Sequence, residues 1–191
     1  MKNLDKIAVI AMEGRFPGAD NIEEFWDNIE KAKESITFFS DAELREAKIA
    51  EDLINNPEYV KAKGTLRDID LFDAIFFDYS PSEAATTDPQ HRLFLEASWN
   101  VLEKAGYCAD KYLGQIGVFA GMTPSSYLHN DISKNKDADI YQTRIGTEGS
   151  FLTTKISYKL NLTGPSININ TDATPLFAIE AIAENATNSP T

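Results

Sequence analysis

The stretch Ser166-Ile-Asn-Ile-Asn-Thr-Asp-Ala-Thr-Pro-Leu-Phe177 decides the fold of this 191-residue chain. Its first five residues alternate polar and apolar side chains, which predicts a short strand over 166–170 with Ile167 and Ile169 on one face. Thr174 is a good N-cap, and Pro175 suits the first position of a helix. The stretch therefore predicts a central strand, a short polar turn and a helix, and we expect both isoleucines to be buried.

A sharp turn between a strand and a helix is a common place for the nucleophile of an enzyme. The N-terminus of the helix presents unpaired N–H groups and the positive end of the helix dipole, and both stabilise an anion. Apolar residues surround the predicted helix almost completely, among them Leu176, Phe177, Ile179 and Ile182. Such a helix is typically buried. The turn is therefore where catalytic chemistry is expected.

The segment leading into this turn, Ser157-Tyr-Lys-Leu-Asn-Leu-Thr-Gly-Pro-Ser166, resembles the segment before the active-site cysteine of β-ketoacyl synthases. These are the condensing domains, or ketosynthases, of polyketide and fatty-acid synthases. Residues 14–26 and 79–107 are similar to the same family. The resemblance implies a thiolase-like α/β fold in which residues 7–182 form the N-terminal half of a ketosynthase, a mixed β-sheet flanked by helices.

The residue that carries the family's chemistry is missing from the predicted turn. In the family, a cysteine there accepts the acyl chain as a thioester. This chain has Thr171-Asp-Ala-Thr-Pro-Leu176 instead, one residue shorter, so either Asp172 or Ala173 stands at the cysteine position. Neither has a thiol, and Asp172 is better explained as a capping residue than as a nucleophile. We therefore predict no catalytic residue, no bound cofactor and no metal.

Three reactive side chains elsewhere are weak candidates for catalysis. His91 follows Pro89 in the first turn of a predicted helix, and the family's catalytic histidines come from the second half of the domain. We interpret His91 as structural and give His129 the same interpretation. Cys108, the single cysteine, follows Gly106 in a polar connection and is a poor nucleophile.

The amino-acid composition limits the classes of protein to which this chain can belong. A hydrophobic content of 42% and a charged content of 25% are those of an ordinary globular domain. The net charge of −12 argues against nucleic acid or an anionic membrane as partner. A lone cysteine excludes an internal disulfide framework and suits a reducing compartment. We expect a cytoplasmic protein with one domain over 1–183 and a polar tail over 184–191.

Local signals predict the other elements. Asn21 or Asp20 caps a helix over 22–33, Ser40 and Glu43 have the spacing of a capping box, and Asp88 caps a long helix that ends before Gly106. Leu93, Ala97, Val101 and Ala105 fall on one face of that long helix, and the resemblance to ketosynthases implies that the helix is buried close to the dimer axis. The remaining predicted elements are strands over 7–12 and 116–122, an extended segment over 60–65 and a helix over 151–160.

Three interpretations of function remain open. The first is a truncated ketosynthase, whose family role is decarboxylative carbon–carbon bond formation between acyl and malonyl thioesters on the phosphopantetheine of an acyl carrier protein, but which is inactive as this chain. The second is a docking or dimerisation module that binds a carrier protein, itself or a complementary half. The third is a fragment of an active ketosynthase whose residues after Thr171 result from a frameshift or from engineering. The family also implies a homodimer, and whether this chain is an enzyme is left open.

Overall fold

The computed structural model describes residues 8–124, 127 and 139–169. The chain divides into two compact units. The smaller unit is Glu13–Asp68, and the larger unit combines Met1–Met12 with Ile69–Thr191. The predicted turn with Asp172 and Ala173, the helix after it and the tail over 184–191 lie outside the described residues. The prediction of one domain over 1–183 stays a prediction.

The smaller unit is built from short elements. Its helices are α1 (Ile22–Glu30), α2 (Asp41–Glu46) and α3 (Glu51–Ile54), and its strands are β1 (Ile36–Phe38) and β2 (Ala62–Gly64). The two strands pair antiparallel, with Thr37 opposite Lys63. Asn21 caps α1 by accepting a hydrogen bond from the backbone N–H of Glu24, and the predicted capping box of Ser40 and Glu43 is present in full. Helix α1 starts where predicted and ends three residues earlier.

The larger unit contains the longer helices. Its helices are α4 (Pro81–Thr86), α5 (Pro89–Lys104), α6 (Ile140–Thr147) and α7 (Leu152–Lys159), and its strands are β3 (Val118–Ala120) and β4 (Ser166–Asn168). A 3-10 turn, Gly149–Phe151, precedes α7. The sequence did not predict α4 or α6. Helices and small sheets alternate along the chain, so the expected α/β class is confirmed.

Helix α5 has the predicted ends but is only partly buried. The Asp88 side chain accepts from the backbone N–H of Gln90, and Pro89 takes the first helical position. The backbone beyond the end of α5 turns at Gly106, where φ is +77°. The face of Leu93, Ala97, Val101 and Ala105 is only half-buried, whereas Leu95 and Leu102 are buried. Apolar residues occur on several sides of this helix, and its neighbours decide which side is covered.

Strands β3 and β4 are parallel neighbours, joined by a connection that includes α6 and α7. Phe119 pairs with Ile167 in the middle of the register. Just before β4, the backbone N–H of Gly164 donates to the carbonyl of Ile116 at 2.9 Å. A Cβ atom at Gly164 would clash with the backbone of Ile116 and Gly117, so this close approach requires glycine.

The hydrophobic core of the larger unit lies between α5, α7 and the start of the β3–β4 pair. Phe72 packs against this core from outside and meets Tyr79 edge to face. Phe72 and Phe77, from the aromatic segment after Asp70, therefore serve packing. The buried members of the core are Phe77, Tyr79, Leu95, Leu102, Ile116, Val118, Ile156 and Leu160.

Two predictions about strands are wrong. Residues 8–12 form no strand, and Val9 is 77% exposed. Ile167 and Ile169 are 47% and 54% exposed rather than buried. In both places the sequence supplies apolar residues, but burial also requires a covering layer, and within the described ranges β4 pairs with β3 alone.

Candidate functional site

Asp172 and Ala173, the two positions that could replace the family's cysteine, lie outside the described residues. His129 does too. The site can therefore be built from the elements that lead to the turn: strand β4, helix α7 beside it, and the link between α4 and α5 on which α7 packs. His91 lies on this side of the larger unit, whereas Cys108 lies exposed beyond the end of α5.

Asn168 fastens strand β4 to the N-terminus of helix α7. Its side-chain nitrogen donates to the carbonyl of Ser150 at 2.7 Å, and its side-chain oxygen accepts from the backbone N–H of Thr153 at 3.2 Å. Further along the helix, the hydroxyls of Ser157 and Ser166 are 3.3 Å apart. On the other side of the strand, the backbone N–H of Ile169 donates to the carbonyl of Ala120 at 2.8 Å. The strand is thus fixed to a helix on one side and to β3 on the other.

Helix α7 contains a buried cation, Lys155, whose side chain is 8% exposed. Its Nζ lies 3.3 Å from the Glu83 carboxylate and donates to the Thr87 hydroxyl at 3.3 Å. The Thr87 hydroxyl donates in turn to the backbone carbonyl of Glu83 at 2.8 Å. The ring of Tyr79 lies 4.7 Å from the same Nζ, a cation–π distance. We call Tyr79, Glu83, Thr87 and Lys155 the buried lysine cluster.

The electrostatics of this cluster follow from its burial. Burial lowers the pKa of Lys155, and the charge of Glu83 opposes this shift. Burial also raises the pKa of the Tyr79 phenol, and the Glu83 charge adds to that effect. Both pKa shifts favour the uncharged form of a buried side chain, and for Lys155 the nearby Glu83 carboxylate works against this effect.

His91 is next to this cluster and is 2% exposed. Burial lowers its pKa to about 4, with the charge of Lys155 adding to the shift, while Asp88 and the backbone of Glu148 oppose it. Among the described residues, neither ring nitrogen makes a hydrogen bond of good geometry. A buried and neutral imidazole suits packing at the start of α5, as the sequence predicts for it.

The buried lysine cluster was not predicted from the sequence, although the sequence contains a signal for it. Leu152, Lys155 and Ile156 follow the spacing of the buried stripe of a helix, so a charged residue falls where an apolar one is expected. A cation in such a stripe requires a partner on a neighbouring element. The sequence does not show which acidic residue that partner is, because Glu83 lies 72 positions earlier in the chain.

The smaller unit has a polar groove with a volume of about 420 Å³. Its lining mixes carboxylates and cations, and Arg67 is already paired with Asp20 at 2.5 Å. Such a lining favours no charge sign in a ligand. The groove is lined by Gly18, Glu24, Asp27, Asn28, Lys33 and Arg67.

Metal binding and membrane insertion have no support in the described part of the chain. Within it, no group of three or more histidine, cysteine or acidic residues is placed to hold a metal ion. In the same ranges, no helix has the length and the apolar character that crossing a bilayer requires. The expected absence of a bound cofactor stays a prediction.

Comparison with known families identifies the relationship. Residues 4–186 match the family "Beta-ketoacyl synthase, N-terminal domain". A phenolphthiocerol/phthiocerol polyketide synthase protein of Mycobacterium tuberculosis is 40% identical over 175 residues, covering 86% of this chain and 12% of that protein. The polyketide synthase PksN of Bacillus subtilis is 37% identical over 172 residues, covering 88% of this chain and 3% of that protein. The chain thus spans a small part of the relatives that it matches.

Solved structures agree with this relationship. Ketosynthase twelve of the bacillaene polyketide synthase from Bacillus amyloliquefaciens superposes with a TM-score of 0.71 at 37% identity, covering 86% of this chain and 29% of that one. The module 1 ketosynthase of the bacillaene synthase from B. amyloliquefaciens FZB42 gives a TM-score of 0.69 at 38% identity and covers the same shares. The thiolase-like fold inferred from the sequence is confirmed, and the chain belongs to the β-ketoacyl synthase family, in which it matches the N-terminal domain of polyketide-synthase ketosynthases.

Proposed function

We propose that this chain is the N-terminal part of a polyketide-synthase condensing domain and that it does not catalyse condensation by itself. The observation that carries the proposal is the sequence after β4, where a turn is predicted. The family match runs through this turn, yet Thr171-Asp-Ala-Thr-Pro-Leu176 contains no cysteine. The supporting strand and helix have the fold of a ketosynthase, while the thiol that would accept an acyl group is missing.

The substrates of the proposed reaction are thioesters carried on the phosphopantetheine arm of an acyl carrier protein in the cytoplasm. Acyl transfer requires a nucleophile that displaces the carrier thiol, and decarboxylation of the malonyl unit requires groups that stabilise the resulting carbanion. His91 cannot supply the second requirement, because it is buried at the start of α5. The arm is a substrate brought by a partner, and this chain binds no cofactor of its own in the proposal.

A condensation assay tests the proposal. The chain is incubated with acyl and malonyl thioesters of a carrier protein, and the β-ketoacyl product is sought by mass spectrometry. A complete ketosynthase of a polyketide synthase serves as the positive control. We expect product from the control and none above background from this chain. Product formed by this chain at a rate that scales with its concentration would refute the proposed inactivity.

A second candidate function is docking or self-association. The observation in its favour is a set of apolar side chains that are almost fully exposed, including Ile75, Leu113 and Tyr158 of the larger unit. Exposed apolar area of this kind favours association with another surface. We expect light scattering at micromolar concentration to show a dimer or a larger species. A sharp monomer mass without binding of a hydrophobic dye would contradict this function.

The third interpretation, a fragment whose residues after Thr171 arise from a frameshift or from engineering, has its own test. The coding sequence downstream of Thr171 is read in all three frames. A string encoding Cys-Ser-Ser-Ser or Cys-Ser-Thr-Ser in another frame would support it and would weaken the first proposal.

A further inference from the structure

The buried lysine cluster has no part in the function proposed above and needs another explanation. Lys155 faces Glu83 and Thr87 inside the larger unit, with little access to solvent. A second lysine on the same helix provides a comparison. Lys159 lies one turn later, is half-buried, and contacts the same Tyr79 ring at 4.1 Å, but within the described residues its Nζ donates to the backbone carbonyl of Asp78 rather than to a carboxylate. Lys155 alone of the two is paired with a carboxylate of helix α4.

Stability does not explain why a charged pair stands at this place. The buried Lys155 loses most of the hydration of its charge and the partly exposed Glu83 loses some, and well-packed apolar side chains of similar size are often at least as stabilising. The pKa of Lys155 is lowered in spite of Glu83, with burial as the largest cause and the charge of Lys159 adding to it. Apolar side chains lack the directional hydrogen bonds that hold a helix at one rotation about its axis. Lys155 donates towards the Glu83 carboxylate in the first turn of α4 and towards the Thr87 hydroxyl at the C-cap of α4, and these two contacts fix the rotation of α7 about its axis.

The rotation of α7 about its axis affects the position of strand β4, because α7 contacts β4 at two points. The backbone N–H of Thr153, two residues before Lys155, donates to the Asn168 side chain, and the Ser157 hydroxyl, two residues after it, contacts Ser166. Lys155 therefore lies between the two points at which α7 holds β4. A turn of the helix about its axis would displace both points together.

We propose that the Lys155–Glu83 pair is a positioning device that sets helix α7 against helix α4 and thereby sets strand β4, which leads into the predicted turn at 171–174. Lys155 is a positioning residue and touches no substrate. The effect on α7 and β4 rests on the described contacts alone. Its relevance to acyl transfer rests on the function proposed above.

Hydrogen exchange followed by mass spectrometry tests this proposal without any activity assay, so it can fail independently of the proposed function. In Lys155→Met, we expect amides of 149–169 to exchange at least about tenfold faster, because the hydrogen bonds from a charged donor are lost and local opening becomes easier. Amides in the middle of α5 should keep their protection. The control Lys159→Met removes an equal charge from the same helix but keeps the contact between Lys155 and Glu83, so exchange over 149–169 should change less than about twofold.

Two further variants complete the test. Lys155→Arg keeps the cation and its donors, and we expect it to restore most of the protection. The double variant Lys155→Met/Glu83→Leu removes both charges; it should fold, with a melting temperature equal to or above that of the original chain, yet keep the fast exchange over 149–169. If Lys155→Met does not fold, the double variant alone gives the comparison. Unchanged exchange over 149–169 in the double variant would overturn the proposal, and so would acceleration of the same size in α5.

Discussion

The two units of this protein differ in where their ion pairs lie. In the smaller unit the ion pairs lie at the surface, as in Arg45 with Glu51 at 2.6 Å, and the buried side chains are few. In the larger unit a buried lysine with a partly buried carboxylate as its partner, and a buried histidine, lie beside a core that α5 and α7 share. An exposed charge stays hydrated when the chain folds, so an exposed ion pair contributes little to the free energy of unfolding. A buried charge loses its hydration, so its contribution depends on its surroundings and on pH. The larger unit should therefore respond strongly to core substitutions and to acid.

The largest expected difference between the units concerns leucine truncation. Leu95 is 0% exposed, and Leu95→Ala should lower the free energy of unfolding by about 2–5 kcal/mol through lost burial and a cavity. Leu53 of α3 is 39% exposed, and Leu53→Ala should cost about 1 kcal/mol or less. Urea unfolding followed by circular dichroism measures both. Equal losses would show that the contrast in burial does not govern stability.

The second-largest expected difference between the units lies in how the free energy of unfolding depends on pH. His91 has a folded pKa of about 4, below the ordinary value of 6.5, so between these pH values the unfolded chain binds more protons. The stabilising contribution of neutral His91 is therefore complete above about pH 7 and is lost as the pH falls from 6.5 towards 4, by about 3 kcal/mol at pH 4. His91→Gln should lack this part of the pH dependence. Unfolding profiles from pH 8 to pH 4 that run parallel for the two proteins would contradict the prediction.

Removing a helix N-cap should lower the free energy of unfolding by a similar amount in both units. The Ser40 hydroxyl accepts from the backbone N–H of Glu43, and the Ser80 hydroxyl accepts from that of Glu83 at 3.1 Å. Ser40→Ala and Ser80→Ala should each lower the free energy of unfolding by about 1 kcal/mol, since a cap acts locally. Thermal unfolding compares them. A much larger loss for Ser80→Ala would mean that α4 depends on its cap to keep Glu83 in the buried lysine cluster.

The smallest effect is expected for the surface pair of the smaller unit. Arg45 and Glu51 are exposed, and solvent screens their interaction. Glu51→Gln should leave the melting temperature unchanged within error. A clear decrease would show that this pair, unlike most exposed pairs, orients α2 and α3.

Local signals in the sequence predict the ends of elements well. Asn21, Ser40 and Asp88 each cap the helix expected of them, because a cap depends on residues within one turn. Residues 116–122 and 166–170 contain the two parallel strands, each shorter than predicted. The resemblance of residues 14–26, 79–107 and 156–169 to ketosynthases was sufficient to name the family.

Features that depend on distant partners could not be predicted in the same way. Val9 and Ile169 have the composition of buried strands, yet both are exposed, because a strand is buried only where another layer covers it. The buried face of α5 depends on which neighbours pack against it. Lys155 and Glu83 are separated by a long stretch of chain, and only the fold brings them together. Asp172 and Ala173 lie outside the described residues, so their role stays a prediction.

The intact mass of the protein after incubation with an acyl-thioester donor tests the central claim most directly. The account predicts no acyl group at the turn over 171–176, because no thiol stands there. Any adduct should form only at exposed Cys108 and should disappear in Cys108→Ser. A stable acyl adduct on Cys108→Ser, mapped by peptide analysis to 171–176, would show that this turn has a nucleophile after all and would contradict the account.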